Sequence, residues 1–340
     1  MTSPIDQGPT APDLLEPGVG SADTPPSLGL FRFTTDGRAA PGLFVAGWIA
    51  FLIGGSATFV GLLAGRTLPG IVLFVAGIAI LLVALVLLGG SQAIERRRAG
   101  VAYAGPSPVL AMAAVIAGWY LAAIVVVTPL QALGLTVEGP VLALLGVSLQ
   151  GLVVVGILRL LVVGPGALTW REMGWTPPSI TALREFAGGA IFAVPVIVVT
   201  GLAIVGLTTL VGQQPASPLP PTGSTTGLLL NLLSGAVIAP VYEEMFFRGF
   251  ALSAWRLTGR PARAIIRSAV LFAAIHAIDQ SGDTFSQAIG VAVVAAGARL
   301  PVALALGAIF ERRRSLWASI GLHATFNAVL LVLAERALAG

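Results

Sequence analysis

The chain has 340 residues, 56% of them hydrophobic and only 10% charged, with a mean hydropathy of +0.94. A soluble domain carries about 25% charged residues, so composition excludes an ordinary soluble globule and points to an all-α, polytopic transmembrane bundle. The net charge is +4, every basic side chain is arginine, and there is no cysteine, which excludes disulfide frameworks and cysteine metal sites.

Residues 1–39 carry Pro4, Pro9, Pro12, Pro17, Pro25 and Pro26 among Ser, Thr, Asp and Gly. Such a segment cannot bury a core, and residues 1–40 read as a disordered Pro-rich cytoplasmic tail rather than a signal peptide. From Pro41 onward, nine apolar runs are candidates to cross roughly 30 Å of hydrocarbon: 41–64, 69–90, 107–134, 140–163, 186–211, 226–246, 264–279, 286–311 and 316–337. The seventh is short and the eighth is interrupted by Arg299 and Pro301, so the expected number is eight to nine. Arg299-Leu300-Pro301 reads either as part of one long span or as a break in a re-entrant helix.

Arginines test this count. Arg32 and Arg38 precede the first run; Arg96, Arg97 and Arg98 follow the second; Arg171 and Arg184 follow the fourth. Arg256, Arg260 and Arg263 follow the sixth, and Arg312, Arg313 and Arg314 follow the eighth. Every second loop is basic, which predicts a cytoplasmic N-terminus and an external C-terminus. The arginines are thus assigned to topology, and nucleic acid is not an expected partner. The exclusive use of arginine suggests a GC-rich bacterial genome and hence a bacterial plasma membrane. No internal repeat of the transporter kind is evident, and Gly61 with Gly65 reads as ordinary helix packing.

Ionisable groups inside hydrocarbon are costly and read as functional by default. They gather in the last hundred residues, in Tyr242-Glu243-Glu244-Met245-Phe246-Phe247-Arg248, in Phe272-Ala273-Ala274-Ile275-His276 and in His323-Ala324-Thr325-Phe326-Asn327. Adjacent Glu243 and Glu244 project about 100° apart on a helix. Arg248 follows Glu244 by one helical turn, in the favoured order for an ion pair. This predicts that Arg248 compensates Glu244 and leaves Glu243 for chemistry; the opposite division also fits. The bland reading puts all three at the solvated membrane surface. Asn327 shares a helix face with His323, where it would orient the imidazole, hold a substrate carbonyl, or simply bond to a neighbouring helix. Depth exposes a conflict: the Glu pair falls at the inner end of its run, whereas a run of 264–279 puts His276 near the outer end. Asp279 and Asp283 leave little room for a later start.

The three motifs, in this order and each on its own span, resemble those of the CAAX-protease and bacteriocin-processing (CPBP, or Abi) intramembrane proteases. Gly307, Arg314-Ser315-Leu316-Trp317 and Ile320 also resemble the family's approach to its last motif. The resemblance covers residues 226–330 and divides the chain into N-terminal helices over 41–180 and a protease-like core over 181–340. It implies an endopeptidase cutting a membrane-associated or lipid-bearing peptide, with Glu243, Glu244, His276, His323 and Asn327 at the active site and Arg248 structural. Membrane lipid and a membrane-bound peptide or protein are the expected partners; oligomeric state is not readable. Zinc or another divalent metal on Glu243, His276 and His323 would leave a position for water. A metal-free Glu–His water site accounts for the same residues, and both stay open at this point. A non-catalytic membrane scaffold or bacteriocin-immunity protein on the same fold, and a proton-relaying transporter, are the competing classes.

Overall fold

The computed structural model describes residues 28–340 apart from 135–138, 216, 218, 279 and 340. The tail through residue 27, and Asp279, lie outside the described residues. The fold is all-helical, and the described residues contain nine helical segments long and apolar enough to cross a membrane. The helices are α1 (Pro41–Leu63), α2 (Leu68–Arg98), α3 (Pro108–Ala132), α4 (Gly139–Leu158), α5 (Ile180–Ala190), α6 (Ala193–Val211), α7 (Thr225–Leu257), α8 (Pro261–Ile278), α9 (Phe285–Arg313) and α10 (Leu316–Ala339). α5 and α6 form one span, Ile180–Val211. The protein is an integral membrane protein.

Local chemistry sets the helix ends. Thr67, Ser179, Ser224 and Thr284 each accept, through the side-chain oxygen, the backbone N–H three residues on, capping α2, α5, α7 and α9. α1 and α2 carry proline in the first turn, where its missing N–H costs nothing. Gly212 stops α6 in the left-handed region, at φ 69°. Arg314, at φ 52°, does the same for α9 and donates its N–H to Phe310 O.

Residues 28–40, grouped with the tail by composition, pack against α1 and α2. The Arg38 guanidinium lies over the Phe44 ring at 3.4 Å and beside the Glu95 carboxylate, which also accepts from Ala39 N at 2.8 Å. Gly54, Gly61 and Gly77 let the backbones of α1 and α2 approach so closely that a Cβ at any of them would strike the opposite chain. Gly61 therefore packs within the chain, and Gly65 closes the turn after α1 at φ 65°.

The basic segments lie on one face of the bundle. Arg98 bonds to Gly37 O, Arg97 to Pro165 O, Arg313 to Glu185 and Arg256 to Glu311. These contacts tie together the segments before α1 and after α2, α4, α7 and α9. On the opposite face Glu335, near the end of α10, accepts from Thr222 N and Ser224 N just before α7. An odd number of spans missed or added between any two of these segments would have separated them.

One open alternative closes and one segment differs from the sequence expectation. α9 runs unbroken from Phe285 to Arg313 with Pro301 inside it, so the re-entrant alternative falls. α7 continues to Leu257, eleven residues beyond the apolar run ending at 246, because Arg248 turns inward and Phe250, Ala251, Leu252 and Ala254 are buried. α7 is also not uniform: π-helical segments at Leu233–Ile238 and Met245–Leu252 flank a short α-helical stretch, Ala239–Glu244. Such insertions recur at functional sites.

Candidate active site

The longer α7 removes the depth conflict. Glu243 lies as many residues back from the α7–α8 turn as His276 lies forward of it, within one residue. Two antiparallel helices climbing from one turn reach equal heights after equal counts. Glu243, in the middle of α7, and His276, two residues from the end of the shorter α8, therefore lie at similar heights.

Glu244 is fully buried, as is Arg248, so the solvated-surface reading is overturned. Arg248 Nη1 donates to Glu244 Oε1 at 2.8 Å, and its Nη2 donates to Ala303 O on α9 at 3.1 Å. His323 Nδ1 lies 2.9 Å from that same Glu244 oxygen. Opposite charge and three hydrogen bonds thus join α7, α9 and α10 where water is excluded. Glu244 Oε2 and Arg248 Nε have no hydrogen-bond partner among the described residues.

Glu243 is different. Its side chain keeps 17% exposure, and its Oε2 stands 3.7 Å from His323 Nε2, too far for a direct hydrogen bond. The two adjacent carboxylates are therefore divided as their 100° offset predicts: one locked inside, the other beside a histidine nitrogen and accessible.

His276 Nδ1 is 2.8 Å from Phe272 O, one turn earlier. A carbonyl only accepts, so Nδ1 carries the proton and Nε2 is left for another partner. The Phe272 ring, which opens the second motif but has no role assigned from sequence, is the hub of the site. It lies 4.4 Å from the His276 ring and 5.8 Å from the His323 ring, with the Arg248 guanidinium 4.8 Å from its centroid. The two imidazoles are thus no farther apart than the sum of those ring separations.

Asn327 does not reach His323. Its Nδ2 donates to Gly235 O at 2.7 Å. The reason lies in Pro240: in the π register of this stretch the residue five positions after Gly235 would supply the N–H, and proline has none. Asn327 satisfies the carbonyl that Pro240 leaves open, joining α10 to α7; its second amide N–H remains available.

Two residues escaped the sequence reading. Gln150, on α4, accepts from the Tyr242 hydroxyl at 2.8 Å. Gly151 beside it provides the space, since a Cβ there would press on the Tyr242 ring. A helix outside the motif region thereby braces the turn that carries Glu243. A lone glutamine in an apolar run offers no pattern by which to find it.

Among the described residues, no group of three or more His, Asp or Glu side chains is arranged to hold a metal ion. His323 spends Nδ1 on Glu244, leaving Nε2 and the Glu243 carboxylate as a donor pair 3.7 Å apart.

Residues 225–329 match the family model described as type II CAAX prenyl endopeptidase Rce1-like. The chain carries an Rce1-like domain across α7 to α10, consistent with the CPBP family resemblance of its three motifs. The match supports a membrane protease. The comparisons with curated proteins and with solved structures gave no match.

Proposed function

We propose that the protein is an intramembrane endopeptidase that hydrolyses a peptide bond of a membrane-associated or lipid-bearing substrate, with Glu243 as general base. The observation that carries this reading is the contrast between two neighbouring carboxylates. Glu244 is held by Arg248 and His323, whereas Glu243 is accessible and faces His323 Nε2 across 3.7 Å. With Nδ1 given to Glu244, His323 turns Nε2 toward Glu243. A water molecule donating one hydrogen to each satisfies both.

In the reaction, Glu243 takes a proton from this water as its oxygen forms a bond to the substrate carbonyl carbon. Glu243 then returns that proton to the departing amine as the C–N bond breaks. His323 orients the water, and Glu244 fixes the tautomer of His323. His276, anchored through Nδ1–H on Phe272 O, presents Nε2 to the site, and the free N–H of Asn327 is the donor for the developing oxyanion. The scheme is written without a metal ion; one held by Glu243 and His323 would polarise the same water. The arginine-bearing face is assigned to the cytoplasm and the membrane to a bacterial plasma membrane, from the alternation of basic loops and from arginine usage.

Incubation of the purified protein in nanodiscs with lipid-anchored peptides in ¹⁸O-water tests this. One ¹⁸O in the new carboxyl terminus is expected. Absence of cleavage across a broad panel would favour the non-catalytic scaffold instead.

A further inference from the structure

The start of α8 carries charge that no acidic side chain among the described residues balances. Arg260, Arg263 and Arg267 are all exposed, and none of their guanidinium groups has a hydrogen-bond or ion-pair partner among the described residues. The nearby Glu311 is already shared by Arg256 and Arg314. α8 has no acidic residue in its first turn, and a helix N-terminus is itself the positive end of the backbone dipole. Three arginines in this position repel one another and the helix end.

The face they occupy is informative. Arg263 and Arg267 fall on the same stripe as exposed Ile266, Val270 and Ile278, opposite the buried Ala264, Ser268, Ala269, Phe272 and Ala273. That stripe has the composition of a lipid-facing surface. Arg267 lies about 9 Å along the helix from Pro261, at 1.5 Å per residue. A guanidinium at that depth extends back toward the headgroups.

We infer that Arg260, Arg263 and Arg267 form a binding site for the phosphate of an anionic phospholipid, seated against the lipid-facing side of α8. The planar guanidinium pairs with phosphate oxygens through two parallel N–H donors. Ile266 and Val270 continue the stripe along which an acyl chain runs. Because α8 also carries Phe272 and His276, the bound lipid steadies the helix that supplies part of the candidate active site. The inference does not depend on that site cutting peptides.

Native mass spectrometry of the full chain, released from nanodiscs of phosphatidylcholine with and without phosphatidylglycerol, tests it. Wild type is expected to retain phosphatidylglycerol selectively and to melt higher when it is present. R263Q/R267Q is expected to lose about fivefold in preference per arginine, the ratio equivalent to about 1 kcal/mol for each basic residue near an anionic surface. R171Q/R184Q, which removes two exposed arginines from the same face, is expected to keep the preference. No selectivity in wild type, or an equal loss in both double variants, would overturn the site in favour of general surface charge. Should R263Q/R267Q fail to fold, photo-crosslinking of wild type with a headgroup-reactive phosphatidylglycerol decides: labelling within 260–270 supports the site, and labelling elsewhere only rejects it.

Discussion

His323 on α10 and Glu244 on α7 meet at 2.9 Å through Nδ1 and Oε1, and the same oxygen accepts from Arg248. One buried carboxylate oxygen therefore determines both the tautomer of the histidine and the position of the guanidinium that reaches α9. Removing one partner of a buried charge pair strands the other, at roughly 3–5 kcal/mol. Arg248→Ala and Glu244→Gln are accordingly expected to lower thermal stability as well as turnover. Their effects should be far from additive in a double-mutant cycle, since both break one contact. A variant of either residue with unchanged melting and pure loss of turnover would contradict this role.

Phe272 touches both imidazoles and the Arg248 guanidinium. Phe272→Leu keeps apolar bulk but removes the ring face under the cation, worth about 0.5–2 kcal/mol. A lower melting temperature and reduced cleavage are expected together. Normal values for both would show that the ring merely fills space.

The sequence made the membrane class, the number of spans and the ionisable groups of the site readable, because cost in hydrocarbon makes each such residue conspicuous. The arginine pattern also predicted which loops share a face, as the contacts of Arg97, Arg98, Arg256 and Arg313 bear out. The length of α7 was not readable. Arg248 looks like the end of an apolar run, and only its inward pairing with Glu244 lets the helix continue. The π segments, and with them the pairing of Asn327 with Gly235 O, depend on a missing proline N–H and a side chain from another helix, so no local pattern announces them. Gln150 and Phe272 acquire their roles from tertiary contacts alone.

α10 is positioned by close glycine crossings with α5. A Cβ on Gly321 would collide with the Phe186 carbonyl, and one on Gly189 with the Ala318 carbonyl. Gly321 is two residues before His323, so forcing the helices apart moves the imidazole. Gly321→Val should cost at least the 1–3 kcal/mol typical of overpacking and sharply reduce cleavage. Gly201→Val, where a Cβ meets nothing within 4 Å, should be tolerated. Equal behaviour of the two variants would refute the crossing as the constraint.

Metal dependence is directly measurable. A water activated by Glu243 and His323 alone predicts that dialysis against a strong chelator leaves cleavage intact, with less than one equivalent of metal in the active preparation. Loss of activity on chelation, restored by zinc, would instead recruit a third ligand to the Glu243–His323 pair.

The central claim is that Glu243 is the base while Glu244 is its buried support. Gln in place of Glu243 keeps the side-chain volume, leaves the Arg248–Glu244–His323 contacts in place and cannot accept a proton. The decisive measurement is cleavage of a lipid-anchored reporter peptide by wild type and Glu243→Gln in nanodiscs, with thermal melting in parallel. A loss of roughly 10²–10⁴-fold in rate at unchanged melting temperature is predicted. Near-normal cleavage by a folded Glu243→Gln protein would contradict the assignment.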